Sequence, residues 1–354
     1  MILKKITDKT PAFLGIYTRY SELGASSRLR YYLFEKAFDA VSADNYFHPF
    51  FDDAYLKRLY SGKGKSKAAF FLALTKRLYQ VLFLEKHLLL EYELIPFMPA
   101  AVDLFFIGKR KFVLNFDDLV WEKYKNIPFL KNKYDKLIKK ASGVIVANHL
   151  LFDKVKKLNS NVILIPTVVD LEKYPHISPV DRRPLTAAWI GTPVTYRECF
   201  LPFASVWQKL CRETGLKFKI IARNDLPAIP GVDMEAVNWR EDTEAQHLLE
   251  CDFGIMPLCN DDFSRGKSAY KLIQYAACGL PAAASPVGEN SRFITHGENG
   301  FLASSAEEWL SAVKALESLS CRERMSTAMQ NKAFDYSLQK YIPVMTEFLQ
   351  RCFS

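Results

Sequence analysis

The sequence predicts two doubly wound α/β domains in tandem. Three observations carry this. The chain has 354 residues, more than one ordinary α/β domain needs and enough for two of middling size. Short apolar runs alternate with helical patterns, as in a parallel sheet covered on both faces. The alternation stops at a proline-rich stretch and then starts again.

Phe13 to Tyr17 reads as the first strand and runs into the polar turn Ser21-Glu22-Leu23-Gly24-Ala25-Ser26-Ser27. A helix follows from about Arg28 to Asp39. Ser61-Gly62-Lys63-Gly64-Lys65 reads as a mobile basic loop. The next strand candidates are Gln80 to Leu84, Phe112 to Phe116, Val144 to Ala147 and Val162 to Ile165. Residues 175–184 carry three prolines and two arginines without apolar periodicity, which makes them the linker candidate. Thr186 to Ile190 restarts the pattern and ends in Gly191-Thr192-Pro193. A helix from about Cys199 to Thr214 leads to strand Lys217 to Ala222, which ends at Arg223-Asn224-Asp225. Strands Phe253 to Met256 and Pro281 to Ala284 flank a helix from about Ser268 to Ala277. The final helix, about Leu338 to Cys352, is amphipathic. The expected organisation is a first domain at 1–178, a second at 184–335, and a last helix at 336–354 packing back toward the first. In such folds ligands lie at the carboxyl ends of strands, and two domains offer a cleft between them.

Composition narrows the function. No run of residues is long and apolar enough to span a bilayer, and Met1 to Thr10 lacks the apolar run of a signal peptide, so a cytoplasmic protein is expected. The seven cysteines all lie in the second half without C-x-x-C spacing, which fits reduced thiols rather than a disulfide framework. The six histidines are scattered, so no metal site is expected.

Residues 1–180 hold 29 Lys+Arg against 18 Asp+Glu, and residues 181–354 hold 19 against 21, so +11 and −2 give the net +9. Residues 54–84 contain seven basic residues and no acidic one. Such a field attracts polyanions: nucleic acid, anionic headgroups or phosphorylated substrates. In Tyr55 to Phe83 the bases interleave with Phe70, Phe71, Leu72, Leu74, Leu78 and Tyr79, the composition of an interfacial helix or of a helix with its apolar side in the core. No nucleic-acid module is recognisable.

The chemistry concentrates in Asp261 to Gln274. A buried strand ends at Pro257, a polar loop follows, and a helix begins with Lys267 and Lys271 on one face. Unpaired N–H groups, a positive helix end and two lysines make an anion site suited to a pyrophosphate.

Gly266-Lys267, Lys271, Gln274-Tyr275, Gly279-Leu280-Pro281, Ser285-Pro286-Val287-Gly288 and Gly297-Glu298-Asn299-Gly300-Phe301-Leu302 resemble the donor-binding half of retaining, group 1 (family 4) glycosyltransferases. Trp189-Ile190-Gly191-Thr192-Pro193 resembles the turn that opens that family's second domain, and Ile165-Pro166-Thr167-Val168-Val169-Asp170 the segment that closes its first. Asn115-Phe116-Asp117-Asp118 is similar to the Asp-x-Asp-Asp variant of one branch. The resemblance implies the GT-B fold, two Rossmann-like domains facing a central cleft. It implies a nucleotide-sugar donor, UDP- or GDP-linked, a glycan or lipid-linked acceptor, and retention at the anomeric carbon. No metal or other cofactor is implied. Where many members carry a pair of glutamates, this chain has Gly266 and Gln274.

On this reading Gly24, Ser26, Arg28, Thr192, Arg223, Arg240, Gly266, Lys267, Lys271 and Gln274 bind the donor. Asp117 and Asp118 orient or deprotonate the acceptor, Lys271 stabilises the leaving phosphate, and Trp239 flanks the base. Helix capping is the structural alternative for Asp118. The expected setting is cell-surface polysaccharide synthesis, with the basic first half facing the inner membrane surface. Two other roles fit the same fold: a silent partner subunit that binds glycan or lipid, and a sugar-nucleotide epimerase.

Overall fold

A computed structural model describes residues 13–354; the start at Met1 to Thr10 lies outside them. The described residues form two compact units, 13–167 with 341–354, and 168–340. The division falls between Thr167 and Val168, so the proline-rich 175–184 stretch belongs to the second unit.

The first unit is built on β1 (Phe13–Tyr17), β2 (Asp44–Phe47), β3 (His87–Glu91), β4 (Lys111–Phe116), β5 (Gly143–Val146) and β6 (Val162–Leu164). All pairs are parallel, in the order β2-β1-β3-β4-β5-β6. Leu88, Leu89 and Leu90 of β3 are wholly buried, as expected of a strand covered on both faces. The final helix, Leu338–Phe353, completes this unit: Phe353 stacks on His87 at 4.7 Å, and Thr346 Oγ1 bonds the carbonyl of Ala37.

The second unit is built on β7 (Thr186–Ile190), β8 (Lys217–Ala222), β9 (Met234–Asn238), β10 (Phe253–Met256), β11 (Ala282–Ala284) and β12 (Gly300–Leu302), again all parallel, in the order β12-β11-β10-β7-β8-β9. One face buries Trp189, Trp207 and Trp309, and the other Ile273, Tyr275 and Met329. In each sheet the strand order reverses once, between β1 and β3 and between β7 and β10. The carboxyl ends of those strands are where such a sheet leaves a crevice.

The sequence expectation fails at Gln80 to Leu84, which is not a strand. It closes the helix Lys67–Gln80 and a 3-10 turn Val81–Phe83, and the strand lies at His87–Glu91. Ala73, Arg77 and Val81 are buried at helical spacing, so the apolar run after Arg77 continues one helix face. The helix expected from Arg28 begins earlier and is broken, as Ala25–Arg30, Tyr32–Phe34 and Glu35–Asp39. That expected from Cys199 opens in a wider turn over Tyr196–Phe200 and becomes α-helical only at Ala204–Thr214.

Candidate functional site

In the second unit β7 ends in Gly191, where a Cβ would lie 2.6 Å from the Trp189 ring, so the chain turns without a side chain there. Thr192 caps the next turn: its Oγ1 accepts from Thr195 N at 3.2 Å, and its N–H donates to Thr195 Oγ1 at 3.0 Å. After β10 the loop folds into the single turn Asp262–Arg265, capped by Asp261, whose carboxylate accepts from Ser264 N at 2.7 Å. Gly288 pins this loop. Its φ is +57°, and a Cβ would stand 2.6 Å from the Arg265 carbonyl oxygen.

The helix Tyr270–Ala277 starts from Ala269 in the left-handed region at φ 54°. Lys271, in its first turn, holds its ammonium 5.4 Å from the centre of the Trp189 ring. Lys267 lies 4.0 Å over Phe263. No ion pair among the described residues involves either lysine. Burial, then repulsion from Lys267, lowers the Lys271 ammonium to about 8. Two cations without carboxylate partners beside a helix start form a positively charged site complementary to an anion.

Gln274 is buried, and its amide donates to the Tyr174 hydroxyl at 3.5 Å. Tyr174 in turn donates to Glu244, whose other oxygen accepts from Trp239 Nε1 at 2.5 Å. A carboxylate therefore stands two hydrogen bonds from Gln274, through Tyr174, supplied by the Glu244–Leu249 helix. Arg223 is paired with Asp225, and Arg240 with Asp242 at 2.7 Å, both in exposed loops.

In the first unit Gly24 precedes the helix Ala25–Arg30, and a Cβ there would stand 2.3 Å from Tyr20 Cβ. Ser26 and Arg28 lie on this helix, and Ser26 Oγ donates to Glu91 Oε1 at 3.3 Å. Glu91 ends β3 and also accepts from Ser27 Oγ at 2.6 Å and Arg19 N at 2.7 Å. Asp117, just past β4, accepts from the Tyr92 hydroxyl. Burial, then the charge of Asp117, raises the Glu91 carboxyl to about 7. Arg30 is buried and ties Asn115 Oδ1, at 2.8 Å, to the carbonyls of Ile165 and Pro166. Asp118 is exposed, and the turn Val120–Lys123 after it has no side-chain cap. Glu91 is the group that sequence reasoning missed. Its signal was a carboxylate closing the apolar run Leu88-Leu89-Leu90, and misplacing the strand hid it.

Among the described residues no cluster of three His, Cys, Asp or Glu side chains could hold a metal. All seven cysteines are free thiols. No helix of the described residues is long and apolar enough to cross a membrane.

Residues 185–318 match the family model "Glycosyl transferases group 1". No curated protein matches the chain significantly in sequence. Among solved structures, Alr3699/HepE of Anabaena, in complex with UDP, superposes with TM-score 0.69 at 14% identity, covering 95% of this chain and 99% of that one. Sucrose-phosphate synthase of Thermosynechococcus elongatus gives 0.66 at 13%, covering 96% and 99%. A glycosyltransferase of Rickettsia africae gives 0.64 at 12%, with the same coverage. The shared feature is the fold: two parallel six-stranded sheets with flanking helices, the GT-B glycosyltransferase fold.

Proposed function

We propose that this protein is a glycosyltransferase that moves a sugar from a nucleoside-diphosphate sugar to a glycan or lipid-linked acceptor. The observation that carries the reading is the cation pair Lys267 and Lys271, without carboxylate partners, at the start of the Tyr270–Ala277 helix. It lies within the segment that matches the glycosyltransferase family model.

In the reaction the bond between the anomeric carbon and the β-phosphate oxygen breaks, and a bond from that carbon to an acceptor oxygen forms. Negative charge grows on the departing diphosphate. Lys271 and Lys267 stabilise it as fixed cations in a partly desolvated site. Thr192, Gly266 and Gln274 complete the donor contacts, with Arg223 and Arg240 at its rim. Gly24, Ser26 and Arg28 take the phosphates from the first unit's glycine turn. Asp117 receives or orients the acceptor proton, with Asp118 beside it in sequence. Glu91 accepts from Ser26 and Ser27 and holds them in place, and with its carboxyl raised to about 7 it is only about half ionised beside Asp117 at neutral pH.

UDP is the first nucleotide to test, because the Anabaena protein was solved with it. Retention, a hexose as the transferred sugar, a place in cell-surface polysaccharide synthesis and a cytoplasmic setting at the inner membrane face complete the proposal. Gly266 and Gln274 in place of an acidic pair favour a second reading, a silent partner subunit. Calorimetry with UDP and GDP, followed by assay of nucleoside-diphosphate release from UDP-glucose and GDP-mannose with and without acceptor, separates the two. Binding with acceptor-dependent release supports the enzyme. Binding without release supports the silent subunit, and no binding of either nucleotide sinks both.

A further inference from the structure

The first unit contains a cavity of about 590 Å³ at the carboxyl ends of β1 and β3. That is within the range of about 300–1,000 Å³ typical of small-molecule sites. Its walls are aromatic: Tyr20, Phe50, Phe51, Tyr55, Phe70 and Phe97. Phe51 stacks on Tyr55 at 3.9 Å, and Phe70 meets Phe97 edge-on at 5.4 Å, so the wall is continuous.

The charge in it is unbalanced. Arg19, Lys65, Lys67, Arg77 and Lys123 line it against Glu91 and Glu93. Glu93 is already committed to Lys123 at 2.8 Å and to the buried Lys133 at 2.7 Å. The Arg77 guanidinium donates to the carbonyls of Leu94 and His48 at 2.8 and 2.7 Å. Lys65 and Lys67 are exposed and belong to no ion pair among the described residues. Ser66 between them caps the helix Lys67–Gln80, whose N-terminus adds a partial positive charge. The uncompensated positive charge makes this end of the cavity complementary to an anion.

The outer face of the same helix is apolar. Phe71, Leu72 and Tyr79, with Leu82 and Phe83 in the turn that follows, are each 62–72% exposed. Inward-facing Ala73 and Arg77 show that these side chains are not the core face. An exposed aromatic and aliphatic stripe, in a stretch with seven basic residues and no acidic one over 54–84, matches an anionic bilayer in both its layers.

We propose that the cavity seats the phosphate and first apolar carbons of a membrane-borne lipid phosphate, while the outer face of the Lys67–Gln80 helix lies in the headgroup layer. Resting on the glycosyltransferase reading, this names the acceptor class as a lipid phosphate or a glycan carried on one. Lys65 and Lys67 meet the anion, the aromatic wall takes the chain next to it, and Phe71 and Leu72 continue the apolar path to the bilayer.

The test is calorimetry of the full chain with farnesyl phosphate, farnesol and inorganic phosphate. Farnesyl phosphate is expected to bind with one-to-one stoichiometry, about tenfold or more tighter than either half-molecule. Lys65→Ala with Lys67→Ala is expected to weaken it about thirtyfold. Phe71→Ser with Leu72→Ser, both exposed, is expected to abolish flotation with phosphatidylglycerol vesicles. Farnesol binding as tightly as farnesyl phosphate would make the cavity a plain apolar groove for another partner and overturn the proposal. So would inorganic phosphate binding equally well, or an unchanged double-lysine variant. UDP binding is measured on each variant. UDP bound without farnesyl phosphate refutes the lipid site alone, and the converse refutes the donor site alone.

Discussion

Lys271 gives the sharpest prediction. Holding its ammonium at about 8 rather than 10.5 costs the charged form roughly 3 kcal/mol, the sum of burial and repulsion from Lys267. A diphosphate placed there relieves much of that penalty, because it supplies the opposite charge. The bound state therefore favours the protonated lysine, and affinity must fall as pH rises through about 8. Between about pH 7 and about pH 9 the dissociation constant for UDP should rise up to about tenfold, since the free site loses its proton over that interval. Lys271→Ala should weaken UDP by about thirtyfold at pH near 7, the value of one charge-assisted contact of about 2 kcal/mol. Lys271→Arg keeps its charge throughout and should flatten the pH profile. Titration calorimetry at both pH values, with circular dichroism to confirm folding, reads all three. A parent profile flat from about pH 7 to about pH 9, or alanine and parent binding UDP alike, would refute the reasoning.

Three further outcomes follow from the same geometry. Gly288→Ala places a Cβ 2.6 Å from the Arg265 carbonyl at φ +57°, so the Arg265–Lys267 loop must shift and UDP should weaken about tenfold by calorimetry. Unchanged affinity would remove that loop from the site. Glu91 titrates at about 7 in the fold against an ordinary 4.5. The fold therefore favours its protonated form, and its contribution to stability is lost as pH rises from about 4.5 through about 7, by up to about 3 kcal/mol. The difference in urea stability between parent and Glu91→Gln should show that slope, and a difference independent of pH would contradict it. Lys133 is buried against Glu93 at 2.7 Å and Asp103 at 3.0 Å. Lys133→Met leaves two buried carboxylates with less compensation and should cost about 3–5 kcal/mol in urea denaturation.

What the sequence could reveal depended on how local the signal was. β1, β7, β8 and β10 were legible to the residue because apolar runs bounded by polar turns are local. The edge strands β2, β9 and β12 were not. β2 and β9 are half-exposed and interrupted by polar residues, β12 has only three residues, and only pairing with a neighbour makes them strands. Val81 to Leu84 looked like a strand because apolar, β-branched and aromatic residues follow one another there, yet the helix begun at Ser66 sets their periodicity. The same asymmetry governs the site. Lys267 and Lys271 could be picked out as candidates because bases follow a glycine in one linear segment. The standing of Glu91 depends on burial and on Asp117 from the next strand. That of Glu244 depends on Tyr174, 70 residues away. Glu244 is not visible in a linear pattern, and Glu91 shows there only as a carboxylate closing an apolar run.

The most direct test of the central claim locates the nucleotide. Hydrogen–deuterium exchange of the full chain with and without UDP should show protection in peptides spanning Asp261–Ala277 and Ile190–Thr195, with loss of that protection in Lys271→Ala. Protection confined to other segments, or none at saturating UDP or GDP, would contradict a donor-diphosphate site at Lys267 and Lys271.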